Sequence, residues 1–158
     1  MIRKEWKINN DKSTKPLIER LLSVRGIRKE EMAEFLDPYS LTLIHPNAFC
    51  DMPKAVERIA KAINEKEKIL IYGDFDADGV TSTSVLMRTF TYLGADVEYF
   101  IPTREGEGHG LNSNALVKLM VQVKPKLIIT VDCGISNVEE VKFINSFKKD
   151  IIITDHHE

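Results

Sequence analysis

Four short, largely apolar runs set the tightest limit on how this chain can fold: ILIY at 69–72, VEYFI at 97–101, LIITV at 127–131 and IIIT at 151–154. Their length and their β-branched and aromatic content suit strands. Between them, residues 80–93, 113–121 and 136–147 carry apolar side chains at helical spacing. Gly94 stops the first of these helices, and Asn112 or Ser113 caps the second. Strands that are apolar throughout, alternating with helices, belong to a parallel sheet buried on both faces. The predicted class is α/β.

The part before the first strand reads differently. Ser13 or Thr14 caps a helix through Pro16, Leu17, Ile18, Leu21 and Leu22, and Gly26 ends it. A short helix fits Lys29–Leu36, residues 37–51 read as a loop, and Asp51 caps a third helix over about Pro53–Lys66. The predicted division is an N-terminal helical segment, 1–68, packing on a core built from 69–158. Residues 1–68 hold 14 basic against 11 acidic residues, and 69–158 hold 8 against 13, within a net charge of −2. The apolar share of 43% excludes a disordered chain. No apolar run approaches the roughly 20 residues of a membrane span. The two cysteines, Cys50 and Cys133, form neither a disulfide framework nor a CxxC site, and with no visible secretory signal the expected compartment is the cytoplasm.

Ligands of open parallel sheets bind beyond the carboxyl ends of the strands. There the sequence places Gly73-Asp74-Phe75-Asp76-Ala77-Asp78-Gly79, then a loop with Arg104, Glu105, Glu107 and His109, then Asp132-Cys133-Gly134, then Asp155-His156-His157-Glu158. Right-handed crossovers bring all four ends to one rim. Two carboxylates about 4 Å apart repel by roughly 4 kcal/mol at an effective dielectric of 20. Five in one cleft require shared protons or divalent cations. Oxygen donors with an imidazole suit Mn2+ or Mg2+. If 74–78 is extended, Asp74, Asp76 and Asp78 share a face. Asp132 is placed to bridge two ions, the usual arrangement for hydrolysing phosphate esters. Adjacent His156 and His157 on a strand point oppositely, so one of them ligates a given ion.

Blander readings stand beside these. Asp-x-Asp-x-Asp-Gly also opens an EF-hand loop, but its twelfth position here is Val85, where a glutamate is required. The helix opened by Gly79 and Val80–Ser84 offers either a phosphate seat or an ordinary cap. His109 serves equally as a turn residue, and Cys133 as a buried small side chain. An aspartyl-nucleophile phosphatase would use Asp76-Ala-Asp78-Gly79-Val80. A module that only binds DNA or protein remains the non-enzymatic alternative.

IYGDFDADGVTSTSVL, VDCGIS and TDHHE together resemble the first three motifs of the DHH phosphoesterase superfamily. LLSVRGI, FLDP, DMPKAVERIAKAI and IPTREGEGHGLN narrow the resemblance to the RecJ single-strand-specific DNA exonucleases, over about Leu17 to Glu158. The resemblance implies a Rossmann-like parallel sheet and a nuclease using two divalent cations, Mn2+ or Mg2+. It implies degradation of single-stranded DNA from the 5′ end to mononucleotides, in recombination and repair, with repair proteins as further partners and no membrane. By motif, Asp76 and Asp78 ligate separate ions, Asp132 bridges them and His156 ligates one. Asp74 supports the first motif, Asp155 orients its neighbours and His157 faces the scissile phosphate. Arg104 and His109 touch substrate.

The superfamily adds a later metal-ligating aspartate and a second, substrate-gripping domain. Neither lies within these 158 residues. The expectation is therefore an N-terminal fragment, weakly active or inactive alone. Another DHH phosphoesterase, acting on short oligonucleotides, cyclic dinucleotides or pyrophosphate, is the alternative.

Overall fold

A computed structural model describes residues 15–37, 39 and 44–157. The chain divides into two compact units, Met1–Pro46 and Asn47–Glu158. The described part of the first holds α1 (Leu17–Val24), a 3-10 turn (Lys29–Glu31) and α2 (Met32–Leu36). Pro16 occupies the N-cap of α1. The predicted caps Ser13 and Thr14 lie outside the described residues.

A 3-10 turn (Pro46–Ala48) spans the boundary, and the second unit holds α3 (Met52–Asn64), β1 (Ile69–Tyr72), α4 (Ala77–Tyr92), β2 (Val97–Phe100), α5 (Ser113–Gln122), β3 (Leu127–Val131), α6 (Val138–Ser146) and β4 (Asp150–Thr154). All pairings are parallel and the strand order is β2-β1-β3-β4. Ile69 stands beside both Val97 and Leu127, and Leu127 beside Asp150. The central strands β1 and β3 are buried at every residue. The edge strands β2 and β4 are half-exposed, as one open side requires.

Alternation along the buried strands divides the core in two. Leu70, Tyr72 and Ile128 face Leu116 and Leu119 of α5 and Ile144 of α6. Ile69, Ile71, Leu127, Ile129 and Val131 face Ala62 of α3 and Phe90 of α4. Each fully buried Ile or Leu contributes about 1.5–3 kcal/mol. Helix α3 packs on the sheet, and the compact unit that holds the sheet begins at Asn47.

Two predicted features differ. Asp51 occupies the N-cap of α3 but its side chain makes no capping bond. Helix α4 begins at Ala77 rather than Val80, because the Asp76 carboxylate caps it by accepting from the amides of Asp78 and Gly79. Asp74, Asp76 and Asp78 therefore do not alternate along an extended segment and do not share one face. The strand–cap–helix connection also ends the EF-hand alternative.

Candidate metal centre

The chain leaves β1 to one side for β2, and β3 lies on the other, so the order reverses between β1 and β3. Crevices form at such switch points, outside the carboxyl ends of the strands. The ladder runs one residue past the strands, with Gly73 N donating to Phe100 O and Asp132 N to Thr154 O. The acids then emerge at one edge, as the strand reading required.

Asp132 sits at the end of β3 with φ +62°. A side chain in this left-handed region costs about 1 kcal/mol, and such strain gathers at functional sites. Its side chain is 4% exposed. His156 Nε2 lies 2.9 Å from Oδ1. Oδ2 is buried with no hydrogen-bond partner among the described residues. Burial, followed by the neighbouring Asp76 charge, raises the Asp132 pKa. Asp76 moves the other way, held low chiefly by the amide of Gly79. The two carboxyls thus push each other's titration in opposite directions.

Asp155 is built as a support. Its Oδ2 accepts from Ile135 N at 2.9 Å, and Oδ1 accepts from His156 N at 2.8 Å and His157 N at 3.1 Å. His157 Nδ1 approaches the same Oδ1 at 2.7 Å. Burial pushes the Asp155 pKa up, but these donors outweigh it and hold the carboxyl at about 2. The Asp155 hydrogen bond in turn raises His157. With Nδ1 engaged, Nε2 of His157 remains for a ligand or substrate.

Asp78, Thr81, Asp132, Thr154, Asp155 and His156 line an open cleft of about 290 Å³. Ligand atoms of Asp132, His156 and His157 all lie within 4.8 Å of one another. The alternation that assigned one histidine to a given ion does not extend this far. Strand β4 ends at Thr154, so it no longer governs 156 and 157. Their rings lie side by side, with centroids 4.5 Å apart.

Asp74, Arg104 and His109 form a separate group. Asp74 is buried, with Oδ1 accepting from Phe75 N at 2.7 Å and Oδ2 lying 3.0 Å from His109 Nδ1. The Phe75 ring lies 4.3 Å from the His109 ring and 5.1 Å from the Arg104 guanidinium carbon. His109 is therefore anchored by a buried carboxylate rather than being a plain turn residue. The phosphate seat at Gly79–Ser84 is not formed. Asp76 occupies the amides of Asp78 and Gly79, and the Thr81 hydroxyl donates back to Ala77 O at 2.7 Å. Gly79 has another purpose, since a Cβ there would enter the backbone of Asp74.

Sequence reasoning missed the residues that hold the loop after β2. The buried Tyr72 hydroxyl donates to Gly110 O at 3.3 Å and accepts from Asn112 N at 3.2 Å. Asn137 Oδ1 accepts from Leu111 N at 3.1 Å. Tyr72 reads as one more apolar strand residue, and no local pattern marks its hydroxyl. Cys133, predicted as a buried small side chain, is 4% exposed and donates to Tyr72 O at 3.8 Å. Burial pushes its thiol up to about 12.

The donor set fits a divalent cation. A buried carboxylate oxygen lacks a partner among the described residues, two imidazoles stand beside it, and Asp76 and Asp78 border it. Oxygen and imidazole donors without a thiolate suit Mn2+ or Mg2+.

Residues 68–158 match the DHH family, N-terminal domain, and the chain belongs to that family. It is 45% identical, over 90% of its length, to the single-stranded-DNA-specific exonuclease RecJ of Bacillus subtilis (strain 168). It resembles the crystal structure of an exonuclease RecJ bound to manganese, with a TM-score of 0.62 and 37% identity over 66% of the chain. It also resembles RecJ in complex with Mn2+ from Thermus thermophilus, with a TM-score of 0.61 and 32% identity over 87% of the chain. The chain spans 18% of the Bacillus protein and 27% and 18% of the two solved chains. Among the described residues no helix is long and apolar enough to cross a membrane.

Proposed function

We propose that this chain carries the cation-holding part of a single-stranded-DNA exonuclease. The single observation behind this reading is Asp132: buried, left-handed, with one oxygen unpartnered among the described residues and the other against His156. Asp76, Asp78, Asp132 and His156 would hold two divalent cations, Asp132 contributing to both. When bound, such ions neutralise charge on the phosphoryl oxygens and lower the pKa of water. Asp155 fixes the His157 ring through Nδ1 and leaves Nε2 to meet the scissile phosphate. Asp74 fixes His109 in the same manner, and Arg104 with His109 contacts the nucleic acid.

The sequence relatives support the finer reading: hydrolysis from the 5′ end, release of mononucleotides, and work in recombination and repair alongside repair proteins. A DNA substrate and unlinked cysteines suit the cytoplasm. The test is calorimetric titration with Mn2+, coupled to hydrolysis of an end-labelled oligonucleotide. The Asp132→Ala variant is expected to lose at least 100-fold in Mn2+ affinity, beyond the roughly 10–100-fold typical of a residue supporting a ligand. Undiminished Mn2+ binding by that variant would overturn the assignment.

A further inference from the structure

At the opposite edge of the sheet, the corner before β3 and β4 gathers positive charge. Of the eight basic residues in 69–158, four fall in two short windows, Lys124-Pro-Lys126 and Lys148-Lys149. These windows lead into β3 and β4. The strand starts are adjacent, since Asp150 N donates to Lys126 O at 3.1 Å. None of the four lysines takes part in an ion pair or a side-chain hydrogen bond among the described residues. This contrasts with Lys68 in the same row, which is matched by Asp96 and Glu98.

Two further observations set this edge apart. Lys124 and Lys148 hold φ of 54° and 53°, as Lys66 does at 55° in the turn after α3, whereas the turn after α4 uses Gly94. Glycine enters this region without steric cost and lysine does not. Beside Lys148, Phe147 is 53% exposed, with Phe143 packed edge-on at 4.9 Å. An exposed aromatic ring next to uncompensated lysines is the combination that binds single strands, by stacking and by phosphate neutralisation.

We propose that Lys124, Lys126, Lys148, Lys149 and Phe147 form a second contact surface for single-stranded nucleic acid, remote from the metal centre. It rests on single-stranded nucleic acid being the substrate class. The two edges are separated by the length of a five-residue strand, about 16 Å. A substrate must extend several nucleotides beyond the cleft to reach both.

The experiment measures binding of a labelled oligothymidylate of about 20 nucleotides, longer than a typical single-strand site, by anisotropy. It uses EDTA and a series of salt concentrations, so the metal centre plays no part. Replacing the four lysines by glutamine is expected to weaken binding at least tenfold. The slope of log affinity against log salt should become shallower by about 3, at roughly 0.7 per phosphate contact. Phe147→Leu should weaken binding severalfold with the slope unchanged. Calorimetric Mn2+ binding is expected to be equal in the parent and the lysine variant.

An unchanged salt slope in the lysine variant would overturn the proposal, even if the protein cleaves DNA. Binding of an acidic peptide at this edge, with oligothymidylate binding intact in the variant, would overturn it too. A lost slope in a protein whose Asp132→Ala variant binds Mn2+ undiminished would leave this surface standing and remove the metal-centre reading instead.

Discussion

The two edges of the sheet treat their acids in opposite ways. At the amino edge, acids meet bases. Arg58 reaches Glu67 at 2.7 Å and Asp150 at 2.6 Å, and Lys68 reaches Asp96 at 2.5 Å and Glu98 at 3.1 Å. At the carboxyl edge, Asp132 meets Asp76, Asp78 and His156. Ion pairs of the first kind fasten α3 and the strand starts. Like charges of the second kind oppose folding until something positive arrives. Stability is gathered at one end of the strands and spent at the other.

The largest effect should come from the one carboxyl-edge acid that behaves as framework. Asp155→Ala strips a buried acceptor from three amides and His157, and should cost about 3 kcal/mol in urea unfolding. Its pH signature follows from its depressed pKa. The stabilisation is complete above the ordinary carboxyl range near 3.8 and disappears as pH falls towards 2. Asp132 has the reverse sign. Its raised pKa means that the folded state takes up a proton before the unfolded chain does, so mild acidification should stabilise the metal-free protein. Melting curves across pH should therefore rise before they fall. The rise should be absent in Asp132→Asn and the fall blunted in Asp155→Ala.

Next in size, Glu67→Gln removes a partner from the mostly buried Arg58 and should cost about 1–2 kcal/mol. Asp132→Asn should do the opposite and stabilise the metal-free protein, by relieving the repulsion from Asp76 and Asp78. If both substitutions destabilise alike, the contrast between the edges is wrong. The smallest effect belongs to Lys142→Gln. Its partner Glu139 lies 2.8 Å away, but the side chains are 66% and 79% exposed. The melting temperature should not move measurably, which would show that burial rather than distance gives the amino-edge pairs their weight.

The sequence was most legible where the physics is local and one-sided. β1 and β3 have the bounds read from their apolar runs, because a strand buried on both faces has no polar residue to blur its ends. The gathering of Asp132, Asp155 and His156 at one rim follows from parallel order alone. Reading failed where a side chain replaced the backbone as a partner. Asp76 capping α4 pulled the helix back to Ala77 and separated Asp74 from its neighbours, although Asp-x-Asp-x-Asp suggests an extended run. His156 and His157 escaped strand alternation because Asp155 captures both of their amides. The Asp74–His109 contact spans 35 positions and leaves no periodic trace.

The thiol beside the acid cluster bears on which elements this protein can take up. Cys133 directly follows Asp132, yet at a pKa of about 12 it keeps its proton at neutrality. A protonated sulfur is a poor ligand and a poor nucleophile. Buried and directed at Tyr72 O, it adds no donor to the cluster. The packing beside Tyr72 thus leaves oxygens and imidazoles as the donors of the cluster.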